Sequence, residues 1–145
     1  MPSAIFFKYP LNIVFVSFLL LLVDIFSKNL ASRYMEVLCN SGVAFGFGSN
    51  GGLVSAGALV VVFWLFTRAG EKGIKWGLLL VFSGGLSNLI DRVFSGCIRD
   101  FISVLGFASF NLADIAITAG VFLIMYDLVI GRKSRERKRL NEGCF

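Results

Sequence analysis

Histidine is absent from this 145-residue chain. That absence removes imidazole acid–base catalysis and the commonest metal ligand. Cysteine is scarce. Cys39, Cys97 and Cys144 show no Cys-x-x-Cys spacing and form no zinc-like cluster. Their odd number leaves at least one thiol free or paired with another chain; Cys39 and Cys97 could bridge if they share a side of the membrane. Cys144 is the second-to-last residue, which does not fit a prenylation motif. Charge is scarce as well, at 16% of residues. A soluble domain of this size needs far more polar surface.

What replaces charge is apolar mass. The chain is 57% hydrophobic with 16 phenylalanines, and its mean hydropathy is +0.81. Spanning hydrocarbon takes roughly 20 helical residues. Four runs approach that length, at about 11–27, 53–67, 74–90 and 112–130. A helix satisfies its own backbone groups in lipid, so an all-α membrane protein of four transmembrane helices is expected. The spans fill most of residues 1–145, which makes one integral membrane domain with a basic tail over 131–145. The first run could pass for a signal peptide, but no small-x-small cleavage site follows it. Residues 29–52 carry strand-like alternation at Val37, Cys39, Val43, Phe45 and Phe47, then a glycine-rich turn. A small extracytoplasmic β platform between helices 1 and 2 is expected there.

Basic residues set the orientation. Lys8, Arg68, Lys72, Lys75, Arg132, Lys133, Arg135, Arg137, Lys138 and Arg139 share one face, ten of the 14 lysines and arginines. Both termini are therefore expected in the cytoplasm. The C-terminal cluster reads as a topology signal that touches anionic lipid; a nucleic-acid role is the weaker reading, because no folded module presents the charge. This topology gathers Asp24, Lys28, Asn40, Asn88, Asp91, Arg92, Asp100, Asn111 and Asp114 at or near the outer face.

Ionisable groups at the edge of hydrocarbon are costly to keep, so a function is the default expectation. Asp24 and Lys28 stand four apart. They form either a helix-end ion pair with Lys28 snorkelling outward or part of a substrate site. Asn88, Asp91 and Arg92 share a helix face behind the small residues Ser83, Gly84 and Gly85. Asn111 and Asp114 have the spacing of an N-cap and an acid at the third helical position. The helix dipole favours a charged Asp114, which suits a base in a carboxylate pair, with Asp100 supplying the shared proton. Arg99 is either a counter-ion for Asp100 or a headgroup contact.

Five stretches in order resemble the lipoprotein signal peptidase (signal peptidase II) family. They are Asp24-Ile-Phe-Ser-Lys28, Asn40-Ser-Gly42-Val-Ala-Phe45, Ser83 to Arg92, Gly96-Cys-Ile-Arg-Asp-Phe-Ile102 and Phe110-Asn-Leu-Ala113-Asp114. The resemblance implies an intramembrane aspartic endopeptidase of the bacterial inner membrane. It implies cleavage of prolipoproteins just before a diacylglyceryl-modified cysteine, with Asp100 and Asp114 as catalytic pair and no metal or other cofactor. It further implies that Asn40, Gly42, Asn88, Asp91, Arg92, Asn111 and Ala113 shape the site, that Asp24 and Lys28 support it, and that globomycin-type cyclic peptides block it. Departures are Ile25 where glutamine is common, Ser87 where glycine is common, Arg99 where an apolar residue is common, and a short 103–109 segment. A carrier or proton channel would place charges mid-span and often show an internal repeat, neither of which is visible. A purely structural subunit would lose little from Asp100→Asn.

Overall fold

The computed structural model describes residues 11–41, 51–104 and 108–131. The order is α1 (Leu11–Tyr34), β1 (Leu38–Asn40), α2 (Gly51–Arg68), α3 (Lys72–Ser95), β2 (Ile98–Asp100), β3 (Ile102–Val104), β4 (Ala108–Phe110) and α4 (Leu112–Tyr126). A π-helical turn, Asp127–Gly131, extends α4. Four helices are long and apolar enough to cross a membrane.

Two helices outrun their apolar stretches. The α1 helix continues to Tyr34 and α3 to Ser95. Hydropathy marks only the part suited to hydrocarbon, and no glycine or proline interrupts residues 11–34. The end of α3 is set by Gly96. Its φ of 76° lies in the left-handed region, and its N–H donates to the Arg92 carbonyl. Glycine adopts that conformation without a Cβ penalty, so the chain leaves the helix and turns straight into β2.

The α3 helix is the centre of the bundle. It packs against α1, α2 and most extensively α4, and it contributes the largest share of buried residues. The outward faces of α1, α2 and α4 carry exposed residues such as Phe18, Phe63 and Phe122, as lipid contact requires.

Small residues set the α3–α4 distance. A Cβ on Gly77 would lie 2.6 Å from the Gly120 carbonyl oxygen, and one on Gly84 would lie 2.5 Å from the Ala113 carbonyl oxygen. Backbone cannot yield as a flexible side chain can. Gly84→Ala is therefore expected to cost about 1–3 kcal/mol and to push the start of α4 outward. Thermal unfolding in detergent checks this against Gly52→Ala, where a Cβ meets nothing within 4 Å.

The sheet arrangement corrects the expected platform. Strand β1 does lie between α1 and α2, but its partner is β2, beyond α3. The pairing is antiparallel, with Leu38 opposite Asp100 and Asn40 opposite Ile98. A second sheet pairs β3 with β4. Three-residue strands show no period, so their partners cannot be read from alternation. Val43, Phe45 and Phe47 lie outside the described residues, as do Gly42, Lys8 and the basic residues from Arg132 onward. Cys39 in β1 and Cys97, the residue before β2, form a disulfide, with Cα atoms 5.5 Å apart.

Candidate active site

Asp100 ends β2, and Asp114 sits in the first turn of α4. One residue holds both. The Asn111 side-chain amide donates to Asp100 Oδ1 at 2.7 Å. Its Oδ1 accepts the Asp114 N–H at 3.1 Å, and its own backbone N–H donates to Asp114 Oδ2 at 3.2 Å. This is the capping box that the Asn-Leu-Ala-Asp spacing predicts. Asn111 is fully buried, so its polar atoms depend on these partners.

Each carboxylate has a further amide. Asn88 Nδ2 donates to Asp114 Oδ1 at 2.8 Å, and Asn40 Nδ2 approaches Asp100 Oδ2 at 3.4 Å. The Arg92 guanidinium lies near enough to feel both charges and donates to Ser55 Oγ at 2.6 Å.

Beneath the pair lies a buried ionic network. Lys28 is 1% exposed, which excludes the reading in which it snorkels to the interface and leaves the one that makes it part of the site. Its ammonium bonds Asp24 at 2.7 Å and Asn88 Oδ1 at 2.9 Å, and it lies 3.7 Å from Asp91. Asp24 also accepts from Ser87 Oγ at 2.6 Å and from the Ala113 backbone N–H at 2.8 Å. Asp24 thus joins α1, α3 and the first turn of α4. Asn88 links that network to Asp114.

Arg99 is not the counter-ion of Asp100. Its guanidinium grips Asp91 Oδ1 through Nε at 2.9 Å and Nη2 at 2.6 Å. Its backbone N–H takes Asp91 Oδ2 at 2.8 Å, and Nη1 reaches Asn29 at 2.8 Å. Neighbours on a strand point to opposite faces, so Arg99 and Asp100 diverge. Ser87, Ser55 and Asn29 are participants that sequence reasoning missed. Ser87 had one signal, as a hydroxyl where glycine is usual; the other two had none.

Electrostatics act on Asp100. Burial pushes the Asp100 pKa above the ordinary carboxylate range. The Asn111 hydrogen bond opposes this, the Asp114 charge adds to it, and Asn40 and Lys28 pull the other way. Over the pH window between the ordinary and raised values, the folded chain holds a proton that the unfolded chain has released. Asp100 therefore withdraws stability as pH rises through that window. Asp100→Asn is expected to gain melting temperature relative to wild type between acidic and neutral pH. Paired thermal scans across that range check the sign; a difference independent of pH would refute it.

Space adjoins the site. An open groove of about 500 Å³ runs along α4 from Phe110 and Asp114 past Ile115, Thr118, Ala119 and Phe122. Its lining is mostly apolar, with one carboxylate at its head.

Comparison with known proteins places most of the chain. A family model described as Signal peptidase (SPase) II matches residues 16–130. A lipoprotein signal peptidase of Acinetobacter baumannii (strain SDF) is 32% identical over 93% of this chain and 94% of its own length. Another from Mesorhizobium japonicum is 42% identical over 63% of this chain and 61% of its own. A solved chain described as "Bacterial membrane enzyme structure by the in meso method at 1.9 A resolution" superposes with a TM-score of 0.73 at 24% identity. It covers 82% of this chain and 93% of its own length, and supports the fold alone.

Proposed function

The chain belongs to the signal peptidase II family, and we propose that Asp100 and Asp114 are the catalytic dyad with which it cuts prolipoproteins. Membership makes it a multi-pass membrane peptidase that removes signal peptides from prolipoproteins. The finer reading is aspartic chemistry just before a diacylglyceryl-modified cysteine, at the outer face of the bacterial inner membrane, with both termini in the cytoplasm.

The observation that carries it is the grip of Asn111 on both carboxyls. Two acids held in one partly buried site can share a proton. Asp100, with its raised proton affinity, is the member that carries it. Asp114 takes a proton from water as that water attacks the scissile carbonyl, and Asp100 protonates the carbonyl oxygen. The tetrahedral intermediate then collapses: the C–N bond breaks, the proton held by Asp114 passes to the leaving amine, and Asp100 takes back a proton from one hydroxyl as the C=O bond re-forms.

Asn40, Asn88 and Arg92 orient the dyad and the substrate backbone, while Asp24, Lys28, Asp91 and the Ala113 N–H hold the strand and helix that carry it. Gly42 belongs to the same proposed site, outside the described residues. The groove beside Asp114 suits a partner arriving from lipid, either the substrate's apolar segment or its acyl chains. Globomycin-type cyclic peptides are expected to compete there. The Cys39–Cys97 disulfide supports the orientation, because such bonds persist on the oxidising side of the membrane.

The test is cleavage in detergent of a prolipoprotein with and without the diacylglyceryl group. The lipidated form is expected to yield a product beginning at the modified cysteine, and the unlipidated form to stay intact. Equal cleavage of both would remove the lipid requirement.

A further inference from the structure

Strand β1 is the least anchored piece of the site. All three of its residues are exposed, and the described element it mainly packs on is β2. Cys39 in β1 and Cys97 beside β2 stand 58 positions apart in the chain, so no tight turn holds the two strands together. Two short strands without a hydrophobic face behind them are marginal on their own. Yet β1 carries Asn40, whose amide meets Asp100 Oδ2 at 3.4 Å. One covalent tie crosses this pairing. Cys39 immediately precedes Asn40 and is bonded to Cys97, three residues before Asp100.

By contrast, β2 is secured independently. Arg99 fastens it to Asp91 on α3 and Asn29 on α1. Cys97 and Ile98 are buried. Breaking the disulfide would therefore release β1 while leaving Asp100 in place.

We infer that the Cys39–Cys97 disulfide is a positioning element of the peptidase site, holding the Asn40 amide on Asp100, so that the enzyme reaches full turnover only when oxidised. The inference rests on the dyad reading above. Cys39 is exposed, which lets a reductant reach its sulfur. With a water-soluble phosphine, the S–S bond breaks and phosphorus gives up two electrons. The phosphorus takes the oxygen of a water molecule, and the two hydrogens of that water become the thiol protons.

The experiment compares purified protein before and after phosphine treatment, with thiol alkylation and mass spectrometry counting the two sulfhydryls gained. Three readouts are taken. First, kcat on a lipidated prolipoprotein falls about tenfold on reduction, the size expected from losing one hydrogen bond to a carboxyl group, while KM holds within about twofold; oxidised glutathione restores it. Second, Asn40→Ala is slow to a similar degree and reduction slows it no further, because the bond acts through Asn40. Third, hydrogen exchange over residues 37–41 speeds up on reduction, while exchange in α3 does not change.

Full reduction with unchanged kcat and unchanged exchange would overturn the inference, as would equal slowing of wild type and Asn40→Ala. A Cys39→Ser/Cys97→Ser protein should match the reduced enzyme and ignore phosphine. If oxidised wild type cuts nothing, the peptidase reading fails by itself. The positioning claim is then decided by the exchange measurement alone.

Discussion

Asp114→Asn is expected to abolish cleavage while the helix bundle stays folded. Asparagine has the size of aspartate and retains one oxygen acceptor. It can still take the Asn111 N–H that now bonds Asp114 Oδ2, so the loss to the α4 cap stays near or below about 1 kcal/mol. Catalysis has no such reserve. An amide cannot remove a proton from the attacking water, and a general base is worth about 10² to 10⁴-fold in rate. A loss of about 10³-fold, or ~4 kcal/mol of barrier, is expected. Circular dichroism and melting temperature separate this from unfolding. If the variant keeps more than about a tenth of wild-type kcat, Asp114 is a cap and not a base.

Lys28→Met is expected to be strongly destabilising. The ammonium is 1% exposed and neutralises Asp24 at 2.7 Å, with Asp91 at 3.7 Å. Methionine fills similar volume but leaves Asp24 charged beside the buried Ser87 and Ala113. Removing one partner of a buried pair costs about 3–5 kcal/mol, because the other charge stays uncompensated. That is a large share of a typical domain's stability of roughly 5–15 kcal/mol. Lys72→Met, at an exposed position, is expected to stay within about 0.5 kcal/mol. Unfolding in mixed detergent compares the two. A Lys28→Met protein within about 1 kcal/mol of wild type would show that Asp24 is protonated or hydrated instead.

Much of this network was legible before the structure. The four-residue gap between Asp24 and Lys28 put both on one helix face, and the Asn111–Asp114 spacing marked the start of α4. These signals are local, and the period of a helix makes them readable. What lay beyond reading was set by contacts between distant segments. In Leu38-Cys39-Asn40 only the cysteine pointed toward β2, through its possible bridge to Cys97; the strand pairing itself was not readable, since pairing across so long a separation depends on where α1 and α3 end. The same gap hid the direction of Arg99. Had residues 98–100 been read as a strand, alternation alone would have turned Arg99 away from Asp100 and toward a carboxylate such as Asp91. Ser55 was invisible for another reason: a hydroxyl on an apolar helix usually bonds back to its own backbone, and this one does so with the Gly51 carbonyl while also receiving Arg92.

The most direct test of the account is the product mass from wild type and Asp100→Asn, each incubated in detergent with a diacylglyceryl-modified prolipoprotein. Wild type should release a mature chain beginning at the lipidated cysteine, and folded Asp100→Asn should release none. Cleavage by Asp100→Asn at a rate within a few-fold of wild type would contradict the dyad.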